Sequence, residues 1–286
     1  MAGTIPFNRG MEQTRAANEH FSRRAAMDTV HPLMHDSSAF TAGGAAWRED
    51  GAAATHPASS RLPCDSCGAR KLCQAAQLCR GGQDRPAGLP LCARKVSAGE
   101  AVFRAGDPLR NLYVSRAGTC KSIRLYRDGR QQITGFHLGG EFLGMDAIAT
   151  GRHETEAVAL EDMMVCVLPY REIEALADEF TDVRRGMERM LSREIVRESK
   201  LLMLMGNLNA EERVAAFLVD LADRYAERGY SAVSFTLRMS REEIGSHLGM
   251  KLETVSRMFS RLQQRGLIAL HGKQVRILDL PALRQV

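Results

Sequence analysis

Near residue 172 the apolar pattern of this 286-residue chain changes period. From about residue 95 to 172, apolar residues come in short runs. Turn signals break them at roughly ten-residue spacing: Ala105-Gly106-Asp107, Ala117-Gly118, Asp128-Gly129, Gly139-Gly140 and Gly151. Short runs spaced this evenly predict an all-β sandwich or jelly roll. Asp128-Gly129 suits a tight hairpin, whose turn needs positive φ. After Glu172 the spacing becomes helical. Met187, Leu191, Ile195, Glu198, Leu202 and Met205 are separated by steps of 4, 4, 3, 4 and 3, close to a heptad seam. A helix with so narrow a stripe needs a partner, and a symmetry mate fits it better than the flank of the sandwich. The next helix opens at Asn209, where Glu212 completes a capping box, and closes at Gly229. The order predicts an α+β chain: β-roll, long helix, helical C-terminal unit.

The segment Ser240 to Arg265 predicts two short helices in tight contact. Ile244 and Leu248 mark the buried face of the first. Gly245 leaves room for a second helix to approach, and Gly249 supplies a left-handed turn residue. Leu252, Val255, Phe259 and Leu262 form the inner stripe of the second helix. Glu253, Ser256, Arg257 and Ser260 fall on its opposite face. Arg can donate two bonds to guanine, Glu can accept from cytosine, and Ser can meet either base type or a phosphate. LIALHGKQVRIL then reads as a two-stranded wing turning at Gly272-Lys273, with Lys273 and Arg276 set for phosphates. From Arg241 to Arg276 there are seven Lys/Arg against three Asp/Glu. The pattern predicts a winged helix-turn-helix, with double-stranded DNA as the expected partner.

Composition narrows the class. No apolar run approaches the ~18 residues of a membrane helix, and the N-terminus lacks the apolar core of a secretory signal. A cytoplasmic protein is expected. The net charge of +5 is compatible with a polyanionic partner. Residues 1–62 read as a disordered extension, since ten of the nineteen residues from Ala42 to Ser60 are Ala or Gly. Five of the seven cysteines, Cys64, Cys67, Cys73, Cys79 and Cys92, fall in the polar stretch 63–92. In a reducing compartment such clustering points to metal or redox chemistry. On residue chemistry alone, a fourth thiolate beside Cys64, Cys67 and Cys73 is equally Cys79 or the distant Cys166. Zinc and iron–sulphur both accept four thiolates. No catalytic constellation is present, so neither an enzyme nor an electron carrier is expected.

The strings C-x2-C-x5-C at Cys64, Cys67 and Cys73, FRAGDPLRNLYVSRAGT, QQITGFHLGGEFLGMDAI, MMVC ending at Cys166, NAEERVAAFL and LETVSR together resemble one family. It is that of the oxygen-responsive FNR (fumarate and nitrate reduction) regulators, within the cyclic-AMP receptor protein (CRP/FNR) superfamily. The resemblance implies a cysteine-rich cluster-binding arm (63–92), a cyclic-nucleotide-binding-like β-roll sensor (93–180), a dimerisation helix (181–206) and a winged helix-turn-helix (207–286). It implies a 4Fe–4S cluster on Cys64, Cys67, Cys73 and Cys166, with no counterpart for Cys79, Cys92 or Cys120 among the ligands. It also implies a homodimer sealed along Met187, Leu191, Ile195, Glu198 and Leu202, which oxygen returns to monomers by destroying the cluster. Glu198 would face its own copy in that seam. Glu253, Ser256 and Arg257 would read the inverted repeat of TTGAT and ATCAA half-sites four bases apart. The hairpin at Asp128-Gly129 would touch RNA polymerase, although Arg130 departs from the acidic residue expected there. The alternatives are the same DNA-binding output with a zinc or nitric-oxide-responsive site, or a cyclic-nucleotide sensor. Against the last, Glu154 and Thr155 stand where cyclic-AMP receptors offer an Arg-Ser pair to the phosphate.

Overall fold

The computed structural model describes Cys73 and residues 92–286. The expected N-terminal extension, and the arm cysteines Cys64, Cys67 and Cys79, lie outside those residues. Two four-stranded antiparallel sheets make up the first half of the described chain. One runs in the order β1 (Cys92–Val96), β8 (Met163–Pro169), β3 (Asn111–Ala117) and β6 (Phe142–Leu143). The other runs β2 (Ala101–Phe103), β7 (Glu156–Ala159), β4 (Cys120–Leu125) and β5 (Gln131–His137). Strands that alternate between sheets in this way give a jelly roll. The β4–β5 hairpin turns at Asp128-Gly129 as its dipeptide predicts, with Gly129 at φ +83°.

Alternation along β8 sorts its side chains to two faces, as strand geometry requires. Met163 and Val165 join Val96, Phe103, Tyr113, Cys120, Leu143 and Ala157 in the core between the sheets. Cys166 and Leu168 face the other way, into a layer with Leu112, Val114 and Phe142. That layer is covered by Ile173 of α1 (Tyr170–Glu179) and Met190 of α2 (Thr181–Asn207).

The second half contains α3 (Ala210–Glu227), β9 (Ser234–Thr236), α4 (Arg241–Leu248), α5 (Leu252–Gln264), β10 (Ile268–His271), β11 (Gln274–Ile277) and α6 (Leu280–Leu283). Both arms of the α3 capping box form: Asn209 accepts from the Glu212 amide at 3.2 Å, and Glu212 accepts from the Asn209 amide at 2.8 Å. The three strands pair in the order β10-β11-β9. Val214, Phe217, Leu218, Ile244, Leu248, Val255, Phe259 and Leu262 supply the core of this half. Ile123, Ile133 and Phe136 of the roll belong to the same core. The helical unit is therefore docked on the outer face of β4 and β5, a contact no local sequence pattern announces.

Candidate DNA interface and cysteine site

The helix pair forms as its spacing predicts. Ser240 caps α4 and accepts from the Glu243 amide at 3.1 Å, while the Glu243 carboxylate accepts from the Ser240 amide at 2.6 Å. Gly249 ends the helix at φ +66°. A Cβ on Gly245 would lie 2.6 Å from the Met250 carbonyl oxygen, so only glycine lets the inter-helix turn pass this close. Val255, Phe259 and Leu262 are buried, but Leu252 is 44% exposed: it sits in the first turn of α5, beyond the reach of α4. Glu253, Ser256, Arg257 and Ser260 are all exposed along one face. The guanidinium of Arg257 makes one long bond, 3.4 Å, to Thr254. In the wing, His271 and Gln274 pair across Gly272 and Lys273, and Lys273 and Arg276 are exposed. Part of the local basic excess is neutralised by an ion pair, although it is exposed. Arg261 and Arg265 both grip Glu211, at 2.8 and 2.6 Å. Lys251, Arg257, Lys273 and Arg276 are exposed and make no ion pair with Glu211, and they are the cations offered for phosphate and base contacts.

The reading head is held to the roll by polar contacts that sequence reasoning missed. Lys121 of β4 pairs with Glu243 at 2.6 Å. The Ile133 amide donates to Ser246 Oγ at 3.0 Å, and the Gln132 side-chain amide donates to the Ser246 carbonyl. Glu141, in the loop before β6, takes Arg224 at 2.8 Å and Arg228 at 2.5 Å, with Arg197 at 3.7 Å. Burial alone would raise the Glu141 carboxyl, but Arg224, Arg197 and Arg228 outweigh it and hold it at about 2. Beside this knot, burial first and Arg197 second push His137 down to about 3, and burial pushes His247 down to about 4. Both imidazoles are neutral inside the joint, His137 bonded to Ser122 Oγ at 2.7 Å.

Of the four cysteines named for a cluster, Cys73 and Cys166 are described. Cys73 is buried, and it shares the apolar layer outside β8 with Cys166, Leu112, Phe142, Ile173 and Met190. Cys166 thus faces away from the inter-sheet core where an inert strand cysteine would sit. Cys120 occupies that core. It is fully buried, and desolvation with the nearby Glu141 pushes its thiol well above the ordinary range. Cys92 opposes Val167 at the sheet edge. Among the described residues, no group of three or more His, Cys, Asp or Glu is arranged to hold a metal ion.

The stripe of α2 divides. Val183, Gly186 and Met190 are buried, and Met187 packs against the Cys166 layer, so the helix begins on the roll. Farther along, Leu191, Ile195 and Leu202 are exposed at 37%, 67% and 66%. Glu198 lies among them, one turn after Glu194. Desolvation and the Glu194 charge hold its carboxyl above the usual value. The seam assigned to a mate is thus bare from Leu191 onward, whereas Met187 serves the roll.

The comparisons agree with this architecture. The Crp-like helix-turn-helix domain family matches residues 212–286, and the Cyclic nucleotide-binding domain family matches residues 93–180. The transcriptional regulatory protein btr of Bordetella pertussis is 44% identical over 192 residues, covering 67% of this chain and 79% of its own. The fumarate and nitrate reduction regulatory protein of Escherichia coli is 38% identical over 225 residues, covering 79% and 90%. The structure of FixK2 from Bradyrhizobium japonicum superposes with a TM-score of 0.63 at 30% identity, over 68% of this chain and 96% of that one. Among the described residues no helix is long and apolar enough to cross a membrane. An exposed recognition face, a wing, both family domains and a relative 38% identical that is covered to 90% of its length lead to one conclusion: the chain belongs to the CRP/FNR family as an FNR-type, DNA-binding transcriptional regulator, not an enzyme.

Proposed function

We propose that this regulator senses oxygen in the cytoplasm through a 4Fe–4S cluster held by Cys64, Cys67, Cys73 and Cys166. The reading is supported by one observation above the others: Cys73 of the arm and Cys166 of β8, remote in sequence, lie in a single apolar layer. Thiolates are soft anionic donors suited to iron, and an apolar shell limits solvent access to a cluster. When bound, the cluster supplies an oxygen-labile link. The residues of this chain do the rest. With the cluster bound, Cys64, Cys67 and Cys73 would tie the arm to β8, whose Cys166 and Leu168 share an apolar layer with Met187 and Met190 of α2. The intact tie favours a homodimer along Leu191, Ile195, Glu198 and Leu202. The dimer then presents two recognition helices to the TTGAT and ATCAA half-sites, and contacts RNA polymerase to activate or repress genes of low-oxygen growth.

Anaerobic purification tests the reading. A brown protein with broad visible absorption, bleached by air, is expected, with iron and sulphide in equal amounts. Cys64→Ser, Cys67→Ser, Cys73→Ser or Cys166→Ser should each lose the iron, while Cys79→Ser, Cys92→Ser and Cys120→Ser keep it. A colourless wild type that carries zinc would overturn the cluster. Iron lost in Cys79→Ser and retained in Cys166→Ser would reassign the fourth ligand.

A further inference from the structure

A cavity of about 530 Å³ lies between the roll and α2, lined in part by Arg124, Asp146, Glu154, Thr155, Glu194 and Glu198. In its wall three donors converge on one oxygen. The amide of Glu154 donates to Asp146 Oδ2 at 2.9 Å, the amide of Thr155 at 2.8 Å and the Thr155 hydroxyl at 2.9 Å. Two successive amides and a hydroxyl aimed at one point form a seat for an anion. The other oxygen, Oδ1, lies 3.5 Å from Nδ1 of His153, a buried ring stacked on Phe103 with centroids 3.9 Å apart. Gly144, at φ +87°, turns the chain so that Asp146 reaches this seat. A Cβ there would come within 2.8 Å of His153 Cε1. Burial opposes a charge on Asp146, but the bonds from His153 and Thr155 outweigh it and hold the carboxyl below its ordinary value.

We infer that Asp146 is a built-in anion: it fills, from within the chain, the seat in which an acidic ligand of this roll would dock. The rest of the wall agrees. Glu154, Glu194 and Glu198 leave the cavity negative, and its cation Arg124 is already paired with Glu154 at 3.4 Å. The ligand class that fits the emptied seat is a small carboxylate or a phosphate. With Asp146 in place the cavity refuses both, so the matched cyclic nucleotide-binding domain retains its anion seat but occupies it itself. The inference stands whatever metal the cysteines hold.

Chemical rescue of the full-length chain tests it. Melting of the wild type in sodium formate, inorganic phosphate and sodium chloride at matched ionic strength sets the baseline, since phosphate stabilises proteins generally by exclusion from their surface. Asp146→Ala should melt lower in chloride and recover, saturably and beyond the wild-type baseline, in formate or phosphate. If that variant fails to fold in chloride, it should fold when prepared in formate. Folding in neither, or salt shifts no larger than those of the wild type, overturns the inference. Asp146→Ala/Thr155→Val, which lacks one donor, should need several-fold more formate for the same recovery. An unchanged formate requirement would put the anion elsewhere and overturn it as well.

Discussion

Arg257 carries the sharpest expectation on DNA. It is exposed on the reading face, beside Glu253 and Ser256, with a single long bond to Thr254. A bidentate contact to guanine gives about 1–3 kcal/mol of discrimination. Arg257→Ala should therefore weaken binding to the TTGAT repeat by roughly one to two decades. Binding to scrambled DNA, governed by phosphate contacts and salt, should change far less. Titration of both duplexes by fluorescence anisotropy reads the difference, and equal losses on the two would remove Arg257 from base reading. His137 and His247 lead to a pH effect. Their folded values, about 3 and about 4, lie below the ordinary 6.5, so between these limits the unfolded chain binds more protons. Stability is then full above 6.5 and falls as pH drops toward 4, by about 1.4 kcal/mol per pH unit for each histidine. Glu141, held at about 2 against an ordinary 4.5, adds to the loss below pH 4.5. Denaturant titrations at stepped pH should show this slope, and the double variant His137→Gln/His247→Gln should flatten it above pH 4.5.

At the scale of elements, α2 is where a switch can be read. Leu191, Ile195 and Leu202 are apolar and exposed, and Glu198 interrupts them. In a parallel two-fold seam each Glu198 meets its copy, and two like charges ~4 Å apart in water oppose pairing by about 1 kcal/mol. Glu198→Ala should tighten the dimer roughly fivefold. Sedimentation in air should show a larger dimer fraction than the wild type, and an equal fraction would show that Glu198 does not gate association. The elements themselves were legible in the sequence where the cause is local. The caps at Asn209 and Ser240, the left-handed Gly249 and the Asp128-Gly129 turn each depend on a few neighbouring residues. The exposed face of α5 follows from the 3.6-residue period in the same way. The division of α2 was not legible, because whether Met187 meets the roll or a mate depends on where β3 and β8 place Leu112 and Leu168. The Asp146 seat was hidden for the same reason: GMDAIATGRHET gives no hint that a carboxylate returns to the amides of Glu154 and Thr155.

At the scale of the whole molecule, the roll and the reading head share one core and one ionic knot. Ile123, Ile133 and Phe136 enter the head's apolar cluster, and Glu141 gathers guanidiniums from α2 and α3. No periodicity could have predicted this joint, since its partners belong to elements that are individually complete without it. Glu141 is nearly buried, and Arg224 and Arg228 are as well. Removing one partner of a buried pair costs about 3–5 kcal/mol, because the remaining charges lose their compensation. Glu141→Gln keeps the shape and an acceptor oxygen but leaves the two arginines with a neutral partner. The apolar contacts of each half are untouched, so the loss should fall on the joint. Differential scanning calorimetry of the wild type should then show roll and head melting together. In Glu141→Gln the head should separate into an earlier transition, and amide exchange should rise along β5 and α4, where Ile133 and Gln132 bond Ser246. A variant that still melts in a single, unshifted transition would mean that the apolar contact alone couples the halves and that the knot around Glu141 is incidental to it.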